Sequence, residues 1–329
     1  MFTKIIYIII YLVCTISLSQ IFLLGSYLIG KKELGSIISK NTLASVFPLI
    51  YQNGFNTTMY YNGLYKKTNK IDIIIANHLN TSDFMINVSI IRQYDDRDIY
   101  CIFKKELLFI PSGIILAETD IILNRKIEDD IENIIKSIKN IKSGIILMFP
   151  EGTRYTQKKH TESMQYSIDN NLTVYNNLLY PKMKGLWTLY NILLKEKRLG
   201  NIIDITSRIE NLKNVDGGIF NILKYNFGNT FTCVNSYIFP VIKEYDDFKK
   251  WFLRIWDKKE SVLDNILTKN DNIIYKKLKI NIKSSEYILL IFIITLFIFV
   301  CVKTNGLYLL FSLIISYILS FIKYKSISK

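Results

Sequence analysis

The sequence predicts an α/β domain on a largely parallel sheet, framed by an N-terminal membrane helix and a C-terminal membrane hairpin. Three observations carry that expectation. Short β-branched runs alternate with helical patterns between residues 66 and 283. Apolar runs without charge sit at the two ends of the chain. The mean hydropathy is +0.19 although the 329 residues carry a formal net charge of +14. A basic soluble nucleic-acid binder rarely combines those two values. The composition also excludes a disordered chain, because half of it is hydrophobic. Four cysteines in 329 residues exclude a disulfide scaffold.

The elements follow in order. Ile5–Ile29 holds no charged residue and is flanked by Lys4 and by Lys31-Lys32. As a helix it is roughly 37 Å long, enough to span a hydrocarbon core of about 30 Å. Ser17-Leu18-Ser19 resembles a signal cleavage site, but the apolar run continues through Ile21-Phe22-Leu23-Leu24. Residues 1–30 therefore read as a retained anchor and residues 31–65 as a linker or interfacial segment. Ile71–Ile75 is a β-branched strand, Phe84–Arg92 a helix and Ile99–Phe103 a strand. Ile121–Arg125 reads as a further strand. Glu128–Lys142 places Ile131, Ile134, Ile135, Ile138 and Ile141 on one helical face, with acidic residues at its start and Gly144 as its cap. Ile145–Phe149 is the next buried strand. Residues 287–322 form two short apolar runs split by Lys303-Thr304-Asn305, a helical hairpin followed by a basic tail, residues 323–329. Lysines outside both ends of the hairpin put those ends in the cytosol, whether the hairpin spans the bilayer or is a shallow re-entrant one.

Two strand ends carry candidate chemistry. After Ile71–Ile75 the chain reads Ala76-Asn77-His78-Leu79-Asn80-Thr81-Ser82-Asp83. A strand-to-helix turn lets Asp83 reach the His78 ring, so that one ring nitrogen is oriented and the other accepts a proton. The plain alternative is a helix start, with Thr81 or Ser82 as cap and Asp83 in the first turn. After Ile145–Phe149 comes Pro150-Glu151-Gly152-Thr153-Arg154, with a glycine for a tight turn and hydroxyl and guanidinium donors that suit a phosphate. Arg125 ends the strand between them. Ligands bind at such strand ends in open α/β sheets. Only His78 and His160 are present as histidines, and no metal-ligand spacing occurs.

Taken together, Asn77-His78-x4-Asp83, Leu123-Asn124-Arg125 and Phe149-Pro150-Glu151-Gly152-Thr153-Arg154 resemble the glycerolipid acyltransferase family, of the lysophosphatidic acid acyltransferase type. Lys104-Lys105 with Pro111-x-Gly113, Tyr180-Pro181-Lys182-Met183-Lys184-Gly185, Asp204-Ile205-Thr206 and Trp251–Leu263 are similar to segments of its eukaryotic acylglycerol-phosphate and lysocardiolipin branch. The resemblance covers residues 66–266, places the acyltransferase domain at residues 66–283, and extends to the terminal membrane segments. Asn124, Lys182 and Met183 depart from the family pattern, which has Asp, Arg and Thr there. Those departures bear on headgroup preference and leave the reaction type intact.

The resemblance implies acyl transfer from acyl-CoA to a lysophospholipid hydroxyl, with 1-acylglycerol-3-phosphate as default acceptor. Lysophosphatidylinositol and monolysocardiolipin are alternative acceptors. His78 would be the general base and Asp83 its orienting carboxylate. Glu151, Gly152, Thr153, Arg154, Arg125, Asn77 and Lys104 would bind substrate. No covalent acyl-enzyme is needed, and Ser82 is accounted for as a cap. No cofactor is implied beyond acyl-CoA as co-substrate. The expected partners are acyl-CoA, the lysolipid and the bilayer, at the endoplasmic reticulum with the catalytic face cytosolic. Nucleic acid drops out, since the basic residues are spread along the chain. The competing class is a non-catalytic lipid-binding protein of the same fold.

Overall fold

The structure, a computed structural model, describes residues 57–109, 120–124, 127–139, 141–212, 228–268 and 274–278, with residues 25, 26, 29–31, 303 and 318. The expected anchor at residues 1–30, the hairpin at residues 287–322 and the tail at residues 323–329 lie almost wholly outside the described residues. Among the described residues no helix is long and apolar enough to cross a membrane. The chain divides into two compact units. One comprises residues 51–101 with 139–278, and the other residues 102–138 with the two terminal segments.

The first unit is built on a sheet. Its strands are β1 (Met59–Gly63), β2 (Ile71–Ala76), the start of β3 (Ile99–Lys104), β5 (Gly144–Met148), β6 (Leu199–Ile209), β7 (Thr230–Ile238) and β8 (Lys276–Lys277). They lie in the order β3-β5-β2-β6-β7-β1-β8. β3, β5, β2 and β6 run parallel. β7 turns antiparallel to β6, and β1 runs parallel to β7. The expectation of a largely parallel α/β sheet therefore holds. β2 is buried on both faces, as its Ile-rich sequence requires. Its one acid, Asp72, sits at a register shift against β6, where it accepts from Asn201 N at 2.7 Å, Thr68 Oγ1 at 2.8 Å and Arg97 Nη2 at 2.5 Å.

Around the sheet run α1 (Asp83–Ile91), α3 (Gln157–Asp169), α4 (Lys184–Lys195) and α5 (Tyr245–Thr268). α5 buries Phe248, Phe252, Ile255, Trp256, Lys259 and Leu263 at helical spacing. Lys259 is wholly buried and ion-paired to Asp204 of β6. It also donates to Ile205 O at 2.8 Å and Thr206 Oγ1 at 3.2 Å. The second unit holds Ile102–Lys104 of β3, paired in parallel with β4 (Ile121–Leu123), and α2 (Ile127–Ile138) packed on β4.

Three expectations need correction. Met59–Gly63 was read as linker but forms a strand of the sheet, so the fold starts before residue 66. Its Met-Tyr-Tyr-Asn-Gly sequence lacks a clear alternation, and pairing with β7 supplies the order. The helix expected over Glu128–Lys142 ends at Ile138, and Ile131 and Ile135 are 36% and 42% exposed. Within the helix only Ile134 and Ile138 of that stripe are buried, and Ile141 is buried beyond its end. Gly144 opens β5 rather than capping that helix. A Cβ there would come within 3.0 Å of Asp98 O and of the Tyr100 ring.

Replacing Lys259 with Met should leave the Asp204 carboxylate buried without its partner. The expected loss is about 3–5 kcal/mol, read as a lower Tm. Adding Asp204→Asn should recover part of it. An unchanged Tm in Lys259→Met would count against the pair as a structural element.

Candidate active site

The site begins where β2 stops and β6 goes on. Asn77 is buried, and its side-chain amide accepts from Ser207 N at 2.8 Å and donates to Ser207 O at 2.9 Å. The side chain thus takes over the ladder one residue past the strand end and frees the main chain to turn. His78 follows, with its side chain 25% exposed. Its Nδ1 lies 2.9 Å from Asp83 Oδ2.

Asp83 is the first residue of α1 and is buried. The same Oδ2 accepts from Leu79 N at 2.5 Å and Asn80 N at 2.8 Å. Two amide donors hold it as an acceptor, and an acceptor opposite Nδ1 keeps the proton on that nitrogen. Nε2 then carries the lone pair, and among the described residues nothing hydrogen-bonds to it. Ser82 precedes the helix, but its hydroxyl donates to Asn80 Oδ1 at 2.7 Å instead of capping the helix amides. It is buried and committed, which leaves it unsuited to act as a nucleophile.

The second turn clamps the first. β5 lies beside β2 in parallel register, Ile75 opposite Met148, so the two strand ends meet. His78 N donates to Glu151 Oε1 at 2.9 Å, and His78 O accepts from Tyr155 N at 2.7 Å. The imidazole stacks on Phe149 with centroids 4.4 Å apart. Arg154 Nη1 donates to Thr81 Oγ1 at 3.1 Å, crossing from one turn to the other. Thr153 Oγ1 accepts from Lys159 of α3. Gly152 sits at φ +67, in the left-handed region. The loop before α4 closes on this turn through Lys182 N, which donates to Pro150 O at 2.7 Å.

The structure thus brings together His78, Asp83, Asn77, Glu151, Gly152, Thr153 and Arg154. Two of them face inward. Glu151 is buried, with Oε1 on the His78 amide and Oε2 3.4 Å from Leu179 N. Glu151 and Asn77 both hydrogen-bond backbone groups, Glu151 those of His78 and Leu179 and Asn77 those of Ser207. Lys104 ends β3 in the other unit and is exposed. Arg125 lies outside the described residues. His160 is a core histidine, its Nε2 2.9 Å from Tyr175 O. Lys259 and Asp204, each within a segment of the resemblance, form a buried ion pair, and the Lys259 charge acts on Glu151, a support that their local sequence does not show.

Burial pushes the Glu151 carboxyl up to about 8, against the pull of the two amides and of Lys259. Burial likewise raises Asp204 and lowers Lys259, each opposed by the other's charge. For Glu151 the folded value lies above the unfolded one. Between those values the fold holds a proton that the unfolded chain has released, so this group's contribution to stability falls as pH rises. Glu151→Gln removes that dependence. The difference in Tm between variant and parent should move in the variant's favour from about pH 5 to about pH 8, and a difference that stays flat would show that the carboxyl does not titrate there.

Comparison with known proteins bears on the same segment. Residues 60–187 match the family model described as Acyltransferase. The chain is 28% identical over 148 residues to the probable 1-acyl-sn-glycerol-3-phosphate acyltransferase 5 of Arabidopsis thaliana, covering 43% of this chain and 40% of that one. It is 26% identical over 200 residues to lysocardiolipin acyltransferase 1 of Gallus gallus, covering 58% and 52%. The chain thus spans about half the length of these relatives or less. A solved structure, the 1-acyl-sn-glycerophosphate acyltransferase PlsC from Thermotoga maritima, is similar at a TM-score of 0.46 and 14% identity, over 76% of this chain and 95% of that one. The residues that match the Acyltransferase model are those that hold both turns.

Proposed function

We propose that this chain transfers a fatty acyl group from acyl-CoA to the free hydroxyl of a lysophospholipid, with 1-acylglycerol-3-phosphate as the first acceptor to test. The observation that carries the reading is the His78–Asp83 pair. Nδ1 is held at 2.9 Å by a buried acceptor, while the side chain is a quarter exposed. An alcohol ionises far too weakly to attack unaided near neutral pH, and an imidazole Nε2 can take its proton as the bond forms.

In the reaction the acceptor oxygen attacks the thioester carbonyl carbon while Nε2 takes the hydroxyl proton. The C–S bond then breaks, the acyl group stays on the acceptor oxygen as an ester, and the proton from His78 passes to the CoA thiolate. The acceptor is itself the nucleophile, so no acyl-enzyme forms. Arg154 and Thr153 stand on the neighbouring turn with donors suited to a phosphate. Glu151 and Asn77 hold the backbone on either side of the base. Arg125 and Lys104 are further phosphate-binding residues in this reading.

The name of the Arabidopsis relative supports the phosphatidic-acid-forming reading. The Gallus relative, matched over a longer stretch, supports a second acceptor, monolysocardiolipin. An N-terminal anchor and a C-terminal hairpin would hold the enzyme at a bilayer. There acyl chains stay in an apolar phase and the excess of Lys and Arg meets anionic headgroups. The proposed location is the endoplasmic reticulum, with the site facing the cytosol.

The test is turnover of labelled acyl-CoA by the full chain against a panel of lysolipids. His78→Ala should lower kcat by about a hundredfold or more with Tm retained, and Asp83→Asn should lower it comparably by removing the acceptor for Nδ1. A His78→Ala variant as active as the parent would refute the base assignment. Acyl-CoA binding without turnover in the parent would favour a lipid-binding protein of the same fold.

A further inference from the structure

We propose that Lys182 is a phosphate-binding residue of this site, acting with Arg154 and Lys159 on the turn that follows β5. The proposal rests on the acyl-transfer reading and assigns part of its substrate recognition.

The backbone of Lys182 is fixed. Its N–H donates to Pro150 O at 2.7 Å, and the residues on either side, Pro181 and Met183, are buried. The side chain lies along the turn. A Cβ built on Gly152 would stand 3.1 Å from Lys182 Cδ and 3.6 Å from its Nζ. Gly152 therefore leaves a cradle beside its own backbone, and the lysine stem occupies it. The residue is exposed, and among the described residues no hydrogen bond or ion pair holds its ammonium. An extended lysine in water keeps its rotamer freedom, so a stem held along a turn brings its charge to a particular place.

The neighbouring groups decide what that charge can meet. Lys159 donates to Thr153 Oγ1 and lies 3.5 Å from Arg154 O. Arg154 reaches Thr81 at 3.1 Å. The turn's own carboxylate, Glu151, is buried beneath it and accepts from two backbone amides. Three cationic side chains thus share one turn whose acid is turned away from them. A phosphate is the anion of matching charge. An ammonium contributes to it as a point charge, without the fixed fork geometry of a guanidinium. The phosphate can belong to the lysolipid or to CoA, and kinetics separates the two.

Initial rates of the full chain would be measured with 1-acylglycerol-3-phosphate and acyl-CoA varied separately, for the parent, Lys182→Met and Lys182→Arg. Lys182→Met should raise one KM about tenfold and leave kcat within about twofold, and Lys182→Arg should restore most of the loss. A rise in the acceptor KM assigns the lysolipid phosphate, and a rise in the acyl-CoA KM assigns the CoA phosphates. An active parent with both KM values unchanged in Lys182→Met overturns this proposal alone, whether or not kcat falls. A parent that transfers no acyl group to any acceptor overturns the acyl-transfer reading and this proposal with it.

Discussion

Both main-chain polar groups of His78 are held by the turn after β5. Its N–H donates to Glu151 and its carbonyl accepts from Tyr155. That double clamp is the constraint on which the site depends. A strand-to-helix turn alone would leave the histidine backbone free to move against the sheet. Two parallel neighbours, Ile75 opposite Met148, end side by side and so bring their following turns into hydrogen-bond range. The ring is then oriented by a local acceptor, Asp83, and backed by Phe149. Preorganisation of this kind spares an acid–base group the cost of ordering at the moment of reaction.

The clamp works through a buried carboxyl group, and burial of its charged form is costly. Glu151 is offset by two amide donors and by the nearby charge of Lys259. Lys259 arrives on α5, whose Trp256 Nε1 donates to Leu179 O at 3.2 Å while Leu179 N faces Glu151. A helix starting nearly a hundred residues after the Glu151 turn thereby holds both the loop and the charge behind His78. The apolar stripe of α5 supplies the burial that makes such an arrangement stable.

The legible parts of the fold were those with strong local patterns. Ile71–Ile75 is β-branched at every position but Asp72 and became the central buried strand. The His78–Asp83 contact was readable because the two residues are close in sequence and flank a strand-to-helix turn. Other features had no local signal. β1 needed β7 for its definition, and its own residues alternate poorly. The α2 stripe promised a longer helix because isoleucine period says where a face lies and not how much of it is covered. The backbone contacts of Glu151 and Asn77 had no local signal either, because both are simply polar residues in motifs. Their partners, Leu179 and Ser207, stand well away in sequence.

By itself the sequence determined the chemistry on offer: an imidazole with a carboxylate five residues on, a turn rich in phosphate donors, and the parallel strands that end in both. It determined this because strand period, turn glycine and residue type are local properties. The tertiary structure alone decided which of those polar groups hold the backbone. That choice rests on contacts between distant segments: Asn77 with Ser207, Glu151 with His78 and Leu179, Lys259 with Asp204. A side chain's role follows from what it is buried against, and burial is a property of the assembled fold.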